Sequence, residues 1–64
     1  MSMKLGEILH LTGLYKIYVV DYEDLSDVLF AGLTIATPPE MREYQVEAVG
    51  AYDSALIVLV GVVE

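Results

Sequence analysis

The groups that could perform chemistry in this chain begin with a single histidine. His10 follows Glu7 by three residues on a predicted helix, a spacing that puts both side chains on one helix face and would suit an acid–base pair. A histidine in a last helical turn is also stabilised by the helix dipole without any catalytic role. We expect His10 to be such a surface residue. The chain has no cysteine and no pattern typical of a serine nucleophile. We therefore predict a protein that is not an enzyme.

Four carboxylates crowd one short stretch of the chain. They belong to Asp21, Glu23, Asp24 and Asp27. The stretch superficially resembles the loops that hold calcium, but an EF-hand loop needs glycine at its sixth position and glutamate at its twelfth. Counted from the first aspartate, this chain has Ser26 and Gly32 there. The spacing therefore predicts no metal site, and no other motif points to a cofactor.

Tyr22 lies inside this acidic stretch and suggests binding instead. An aromatic side chain surrounded by charge is typical of surfaces that contact basic proteins. The net charge of −7 repels nucleic-acid phosphates, so we expect a basic host protein as partner and no direct nucleic-acid binding. The predicted partner-binding residues are Asp21, Tyr22, Glu23, Asp24 and Asp27. The alternative is an acidic turn that only keeps the protein in solution.

The few cations suggest a second kind of site. Lysine and arginine together number three, and no glycine-rich loop accompanies them to cradle a phosphate. In an oligomer, neighbouring copies would bring several of these cations together in a pocket between subunits. The site predicted on this basis binds an anionic or nucleotide-like ligand through Lys16, Arg42 and Tyr44.

Hydrophobic periodicity predicts the elements that must position these side chains. Apolar residues at three- and four-residue spacing predict an amphipathic helix that begins after a cap at Ser2 and stops at Gly13. Aromatic and β-branched residues predict strands at residues 15–21 and 28–35, which the acidic turn joins into a hairpin. Gly32 in the second strand predicts a bulge or a close approach of the backbone.

A short helix and a second hairpin are predicted in the C-terminal half. Thr37 can cap, Pro38 suits a first helical position and Glu40 completes a capping box. A helix is therefore expected over residues 38–44, with Met41 and Tyr44 turned inward. Residues 45–51 and 55–63 are the expected strands of the second hairpin. The predicted fold is a single α+β domain over residues 1–64, with a four-stranded antiparallel sheet and the order α-β-β-α-β-β.

The last predicted strand is apolar on both faces. Residues 55–63 contain no polar alternation, and two short helices cannot cover both faces of a four-stranded sheet. A chain of 64 residues without disulfides is also marginally stable by itself. We therefore expect a homo-oligomer, and the two alternative interfaces are Ile57, Leu59 and Val63, or Leu56, Val58 and Val60. The other possibility is a central strand that is buried on both sides within one copy.

The distribution of apolar residues also bears on cellular location. The longest uninterrupted apolar run has nine residues, 55–63, whereas a membrane-spanning helix needs about twenty. The first ten residues lack the long apolar core of a signal peptide. We therefore expect a cytoplasmic protein that does not bind a membrane.

Several segments resemble a class of small acidic accessory proteins of bacteriophages and prophages. They are KLGEIL at 4–9, YKIYVVD at 15–21, VLFAG at 28–32 leading into the two prolines, and VEAV at 46–49 with ALIV at 55–58. Some members of this class resemble inhibitors of bacterial defence, including anti-CRISPR proteins, which tend to be short, acidic, non-enzymatic and oligomeric. The resemblance implies a viral protein that inhibits a host defence component by stoichiometric binding.

Two other functions remain open on sequence grounds. One is a homo-oligomeric protein that binds or sequesters a small anionic ligand between subunits. The other is a structural subunit whose only function is self-assembly. Neither requires catalytic residues, which fits the chemistry of the chain.

Overall fold

The computed structural model describes residues 3–62 and has the expected α+β composition. The chain runs through β1 (Met3–Lys4), α1 (Leu5–Thr12), β2 (Lys16–Asp21), β3 (Asp24–Leu33), β4 (Gln45–Tyr52) and β5 (Ala55–Gly61). Two short 3-10 helices, Thr34–Ala36 and Pro39–Glu43, connect β3 to β4. The α+β class is therefore confirmed, and each predicted strand is present with shifted ends.

The strands form one five-stranded mixed sheet in the order β1-β4-β5-β2-β3. The two predicted hairpins, β2–β3 and β4–β5, are antiparallel as expected, but β2 and β5 pair in parallel. The predicted all-antiparallel, four-stranded sheet is wrong in these two respects. The two most apolar strands lie side by side in the interior of the sheet, where both their edges are paired. The alternation of polar and apolar residues along a strand indicates which side chains share a face. It does not indicate the direction of the neighbouring strand, so the parallel pair was not predicted.

The N-terminal helix begins later than predicted. Ser2, the expected cap, lies outside the described residues, and Lys4 occupies the N-cap position with extended backbone. The Glu7 carboxylate accepts a hydrogen bond from the backbone N–H of Lys4 at 3.3 Å, which satisfies a donor at the helix start. Met3 and Lys4 instead pair with the start of β4 as the fifth strand. The helix stops at Gly13 as predicted, with φ of +68°.

The segment around the two prolines is a 3-10 helix and not the predicted α-helix over residues 38–44. It spans Pro39–Glu43, and both preceding residues, Thr37 and Pro38, have extended backbone. A residue that precedes proline is driven out of helical conformation, and this constraint acts on each of them in turn. Thr37 does not cap the helix, and its buried hydroxyl has no hydrogen-bond partner within residues 3–62.

The hydrophobic core lies between α1 and one face of the sheet. Its fully or almost fully buried members are Leu5, Leu9, Ile17, Val19, Val58 and Val60. Met41 and Tyr44 pack against this cluster, so their predicted inward orientation is confirmed. Gly6 marks the contact between α1 and the second 3-10 helix, because a Cβ built there would lie 3.3 Å from the Cβ of Arg42. Glycine at this position lets the two segments approach closely.

Strand β3 begins at Asp24 and ends at Leu33, whereas residues 28–35 were predicted. Its register against β2 shifts twice, between Phe30 and Val28 and between Val28 and Asp24, so neither irregularity lies at Gly32. A Cβ built at Gly32 would lie 3.2 Å from Cζ of Phe30. The group that lies close to Gly32 is therefore an aromatic side chain of the same strand, and not the backbone of another segment as predicted.

The turn between β4 and β5 is held by two residues with left-handed backbone. Asp53 and Ser54 have φ values of 51° and 62°, the signs that a two-residue type I′ hairpin requires. Such conformations cost non-glycine residues roughly 1–2 kcal/mol each. Asp53 and Ser54 therefore close the apolar hairpin with a cost in backbone strain that glycine would not have.

Substitution of Ser54 by glycine is expected to stabilise the protein by about 0.5–1 kcal/mol, because glycine adopts positive φ without strain. The reciprocal control is Gly13→Ala, where φ is +68° and an added Cβ meets no atom within 4 Å. This variant should lose about 1 kcal/mol or more through backbone strain alone. Urea unfolding followed by circular dichroism measures both changes. Equal stability of S54G and the parent chain would contradict the assigned turn.

Candidate functional site

One side of the sheet is not covered by any helix among residues 3–62, and we call it the open face. A row through Gly61, Gln45 and Lys4 lies on this face, and the register of the strands places twelve further members in three rows across β3, β2, β5 and β4. They are Leu33, Lys16, Ala55 and Tyr52, then Ala31, Tyr18, Ile57 and Gly50, then Val28, Val20, Leu59 and Ala48. The three rows are therefore mostly apolar, and all their members are half-buried or exposed except Val20 and Ala55, which are buried.

Charge is almost excluded from the open face. Lys16 is the only charged residue in the three rows, although the chain contains ten acidic residues. The Lys16 ammonium lies 5.4 Å from the centroid of the Tyr18 ring, over the aromatic surface. The carboxylate of Glu47 lies at the rim, where a Cβ on Gly61 would be 3.4 Å from its Oε2. A solvated sheet face normally alternates with polar residues, and this face lacks them.

The two predicted oligomer interfaces fall on opposite faces of β5. Val58 and Val60 are fully buried against α1 and Leu56 packs against the same core, so this set is occupied within one copy. Ile57 and Leu59 are half-buried members of the open face. Val63, the third member of the predicted set, lies outside the described residues. Because side chains alternate between the faces of β5, Ile57 and Leu59 lie on the open face. Leu56, Val58 and Val60 lie in the core of the same copy.

The acidic stretch forms the tip of the β2–β3 hairpin, with Tyr22 and Glu23 as its turn. The backbone N–H of Tyr22 donates to the carbonyl of Val60 at 2.8 Å, which ties the turn to β5. The Asp21 carboxylate accepts from the backbone N–H of Glu23 at 2.9 Å. The Tyr22 side chain remains 53% exposed. The five predicted partner-binding residues therefore lie together at one end of the molecule.

Asp24 is fixed by two hydrogen bonds from one serine. Its Oδ1 accepts from the hydroxyl of Ser26 at 2.7 Å and from the Ser26 backbone N–H at 3.2 Å. These bonds, the hydroxyl first, hold the pKa of Asp24 below its ordinary value because both favour the charged carboxylate. Next to it, Leu25 is 66% exposed. The tip therefore presents ionised oxygens beside two accessible apolar side chains.

The acidic tip shows no arrangement suited to a metal ion. Within residues 3–62, no three histidine, cysteine, aspartate or glutamate side chains converge as a metal site would require. The oxygens of Asp21 and Asp24 that accept hydrogen bonds are directed at their own turn.

A groove of about 330 Å³ lies at the C-terminal end of α1, and we call it the Arg42 groove. Its lining residues come from α1, the turn that follows it, and both 3-10 helices. They are Leu9, His10, Gly13, Leu14, Thr34, Ile35 and Arg42. The groove brings together the only histidine and the only arginine of the chain.

The predicted set of Lys16, Arg42 and Tyr44 is not assembled within one copy. Arg42 lines the groove, Lys16 lies on the open face beside Tyr18, and Tyr44 packs against the core. The two cations belong to different surfaces because strand alternation turns Lys16 away from α1. A site that combines all three would need more than one copy of the chain.

Glu7 and His10 take separate roles in the structure. Glu7 accepts the hydrogen bond from Lys4 at the start of α1, whereas His10 lines the groove at the other end. The sequence analysis did not find His10 as part of a pocket, and it missed Leu14, Thr34 and Ile35. No local signal marks these residues, since they come from three separate segments and meet only through tertiary packing.

Comparisons with protein-family models, with curated protein sequences and with solved structures give no significant match. None of the helices described between residues 3 and 62 is long and apolar enough to cross a membrane. The surfaces that bear on function are therefore the open face, the acidic hairpin tip and the Arg42 groove.

Replacement of Ser26 by alanine tests the electrostatics of the hairpin tip. The variant loses the hydroxyl donor, so the pKa of Asp24 should rise toward its ordinary value. The Asp24–Ser26 contact should stabilise the hairpin above the ordinary pKa of an aspartate and lose this effect as pH falls through the lowered value. Carboxyl ¹³C shifts recorded against pH measure the titration. Ser54→Ala is the control, and an unchanged Asp24 curve in S26A would refute the assigned bond.

Proposed function

We propose that the protein is a non-enzymatic interaction protein that self-associates through the open face and binds a basic partner through the acidic hairpin tip. The observation that supports this proposal is that the apolar open face and the acidic hairpin tip are separate surfaces. The chain has ten acidic residues and places none of them in the three rows of the open face, with the Glu47 carboxylate at its rim. Selection for solubility alone would not require this segregation.

The open face is assigned to a second copy because of its composition. An uncovered apolar sheet surface favours another apolar surface, and stacked sheets pack about 10 Å apart with interleaved side chains. A copy of the same face supplies that surface without bringing carboxylates into contact. The small residues Ala31, Ala48 and Gly50 leave room for Tyr18 and Ile57 of the facing copy. A two-fold axis through the face pairs each side with its equivalent.

The area of the open face sets the expected strength of this contact. Twelve residues at strand spacings of about 4.8 Å and same-face spacings of about 6.8 Å cover roughly 400 Å² per copy. Two copies then bury roughly 800 Å² in all, which is below the range of permanent dimers. The proposed homodimer is therefore reversible, with a dissociation constant in the micromolar range or weaker.

The acidic tip is assigned to a basic protein surface. Charge complementarity raises the association rate, and exposed apolar side chains supply contact area. Tyr22 and Leu25 provide those side chains, while the hydrogen bonds at Asp21 and Asp24 hold carboxylates in fixed positions. On a protein that binds nucleic acid, these carboxylates would occupy phosphate positions and block binding stoichiometrically. Inhibition of a host defence component, which the phage resemblance implies, is the form of this activity that we propose.

Self-association is tested with a matched pair of substitutions. Val28 and Val49 are 52% and 50% exposed and lie on edge-side strands, but the first belongs to the open face and the second to the opposite face. Val28→Glu should weaken self-association at least tenfold because it places a carboxylate in an apolar contact. Val49→Glu makes the same charge change and should not weaken it. Analytical ultracentrifugation between micromolar and millimolar concentration measures both constants.

Salt provides an independent check on the same measurement. Each copy carries a net charge of −7, so added NaCl should screen the repulsion between copies and strengthen an apolar contact. Monomeric protein throughout the concentration range, or equal effects of V28E and V49E, would rule out the open face as the interface.

Partner binding is tested by charge reversal at matched sites. Glu23 and Glu40 are both exposed, and each substitution by lysine changes the net charge equally. Glu23→Lys should reduce capture of a basic protein from a bacterial lysate about tenfold at low salt, with the capture by the parent chain weakening as salt rises. Glu40→Lys should retain most of it. Equal losses in the two variants would show that only the net charge matters and would remove the hairpin tip from the proposal.

A further inference from the structure

We infer that the Arg42 groove is a binding site for a small organic anion with an apolar body, such as an aliphatic carboxylate. The site lies within a single copy and is separate from both surfaces of the proposed function, on which it does not depend. It differs from the intersubunit site predicted from sequence because neither Lys16 nor Tyr44 contributes to the lining.

The side chain of Arg42 provides the positive charge of the groove. Its guanidinium has five donors, yet within residues 3–62 the recorded ion pair is between Lys4 and Glu43, at 2.9 Å. Arg42 donates none of the side-chain hydrogen bonds found among these residues. Because Arg42 pairs with no carboxylate within residues 3–62, its guanidinium can receive an incoming anion there.

Two carboxylates close to Arg42 are already hydrogen-bonded. Glu43, its neighbour in the chain, accepts from the Lys4 ammonium, and Glu7 accepts from the Lys4 backbone. Both acidic side chains therefore have a hydrogen-bond partner in Lys4 at the start of α1. His10 adds a further donor at the groove.

The apolar side of the groove selects the body of the ligand. Leu9 is almost buried, while Leu14 and Ile35 are 69% and 76% exposed, a large exposure for aliphatic residues beside a concave surface. A ligand chain lying across them would cover apolar area that the protein leaves in water. At about 30 Å³ per water-sized group, the groove volume admits a molecule of roughly ten heavy atoms.

Two contacts hold the groove in shape before any ligand binds. The buried hydroxyl of Thr34 donates to the Gly13 carbonyl at 2.6 Å and accepts from the Tyr15 N–H at 3.1 Å. These bonds fix the turn after α1 against the first 3-10 helix. The close approach of Gly6 to Arg42 fixes the second 3-10 helix on the opposite side. The hydroxyl proton of Thr34 is already used, so among the described lining side chains Arg42 and His10 can donate to an anion.

The experiment compares hexanoate, hexanamide and hexylammonium as probes by ¹H–¹⁵N NMR titration of the full chain. Hexanoate should shift the amides of Leu9, His10, Gly13, Leu14 and Ile35, with a dissociation constant on the order of 1 mM for so small a ligand. Hexanamide should bind roughly fivefold to tenfold more weakly because it lacks the charge-assisted contact with Arg42. Hexylammonium should bind more weakly still.

Two variants of equal charge complete the test. Arg42→Gln should abolish the preference for hexanoate over hexanamide, whereas Lys16→Gln, which removes a cation from the open face, should preserve it. The spectrum of each variant without ligand verifies that the fold is intact. Equal affinities for hexanoate and hexanamide in the parent chain, an unchanged preference in R42Q, or shifts confined to Tyr18, Ile57 and Leu59 would each overturn the inference.

Discussion

The packing of α1 on one face of the β2–β5 pair is the interaction on which the rest of the structure depends. Leu5 and Leu9 cover Val19, Val58 and their neighbours, and this cluster contains six of the eight buried apolar residues found within residues 3–62. One short helix can cover only one face of a five-stranded sheet. The same contact that stabilises the fold therefore leaves the other face open, and it positions the end of α1 that borders the groove.

The edges of the sheet show how an apolar protein of this size limits unwanted association. β1 at one edge has only two residues, and β3 at the other begins with Asp24 and contains Asp27. Short or acidic edge strands resist pairing with strands of other molecules. Contact through a sheet face is not blocked in this way. The distribution of charge thus disfavours extension of the sheet edge to edge and leaves face-to-face association as the permitted contact.

The hairpin tip and the groove are different kinds of site within one electrostatic background. At the tip, local hydrogen bonds stabilise ionised carboxylates and the surroundings remain negative. At the groove, the Glu43 and Glu7 carboxylates are engaged with Lys4, and Arg42 makes no side-chain hydrogen bond or ion pair within residues 3–62. Placement of side chains, more than total charge, determines which ligand each site favours.

The sequence by itself determined the α+β class, both hairpins, the stop at Gly13 and the position of the acidic turn, because these follow from alternation and turn chemistry over a few residues. It also identified β5 as a strand with more apolar surface than one helix covers. Tertiary structure alone decided the parallel pairing of β2 with β5, the face on which Ile57 and Leu59 lie, and the separation of Lys16 from Arg42. Local pattern does not encode strand direction across separate hairpins. The groove could not be predicted for the same reason, since Leu14, Thr34 and Arg42 meet only when three segments pack around the end of α1.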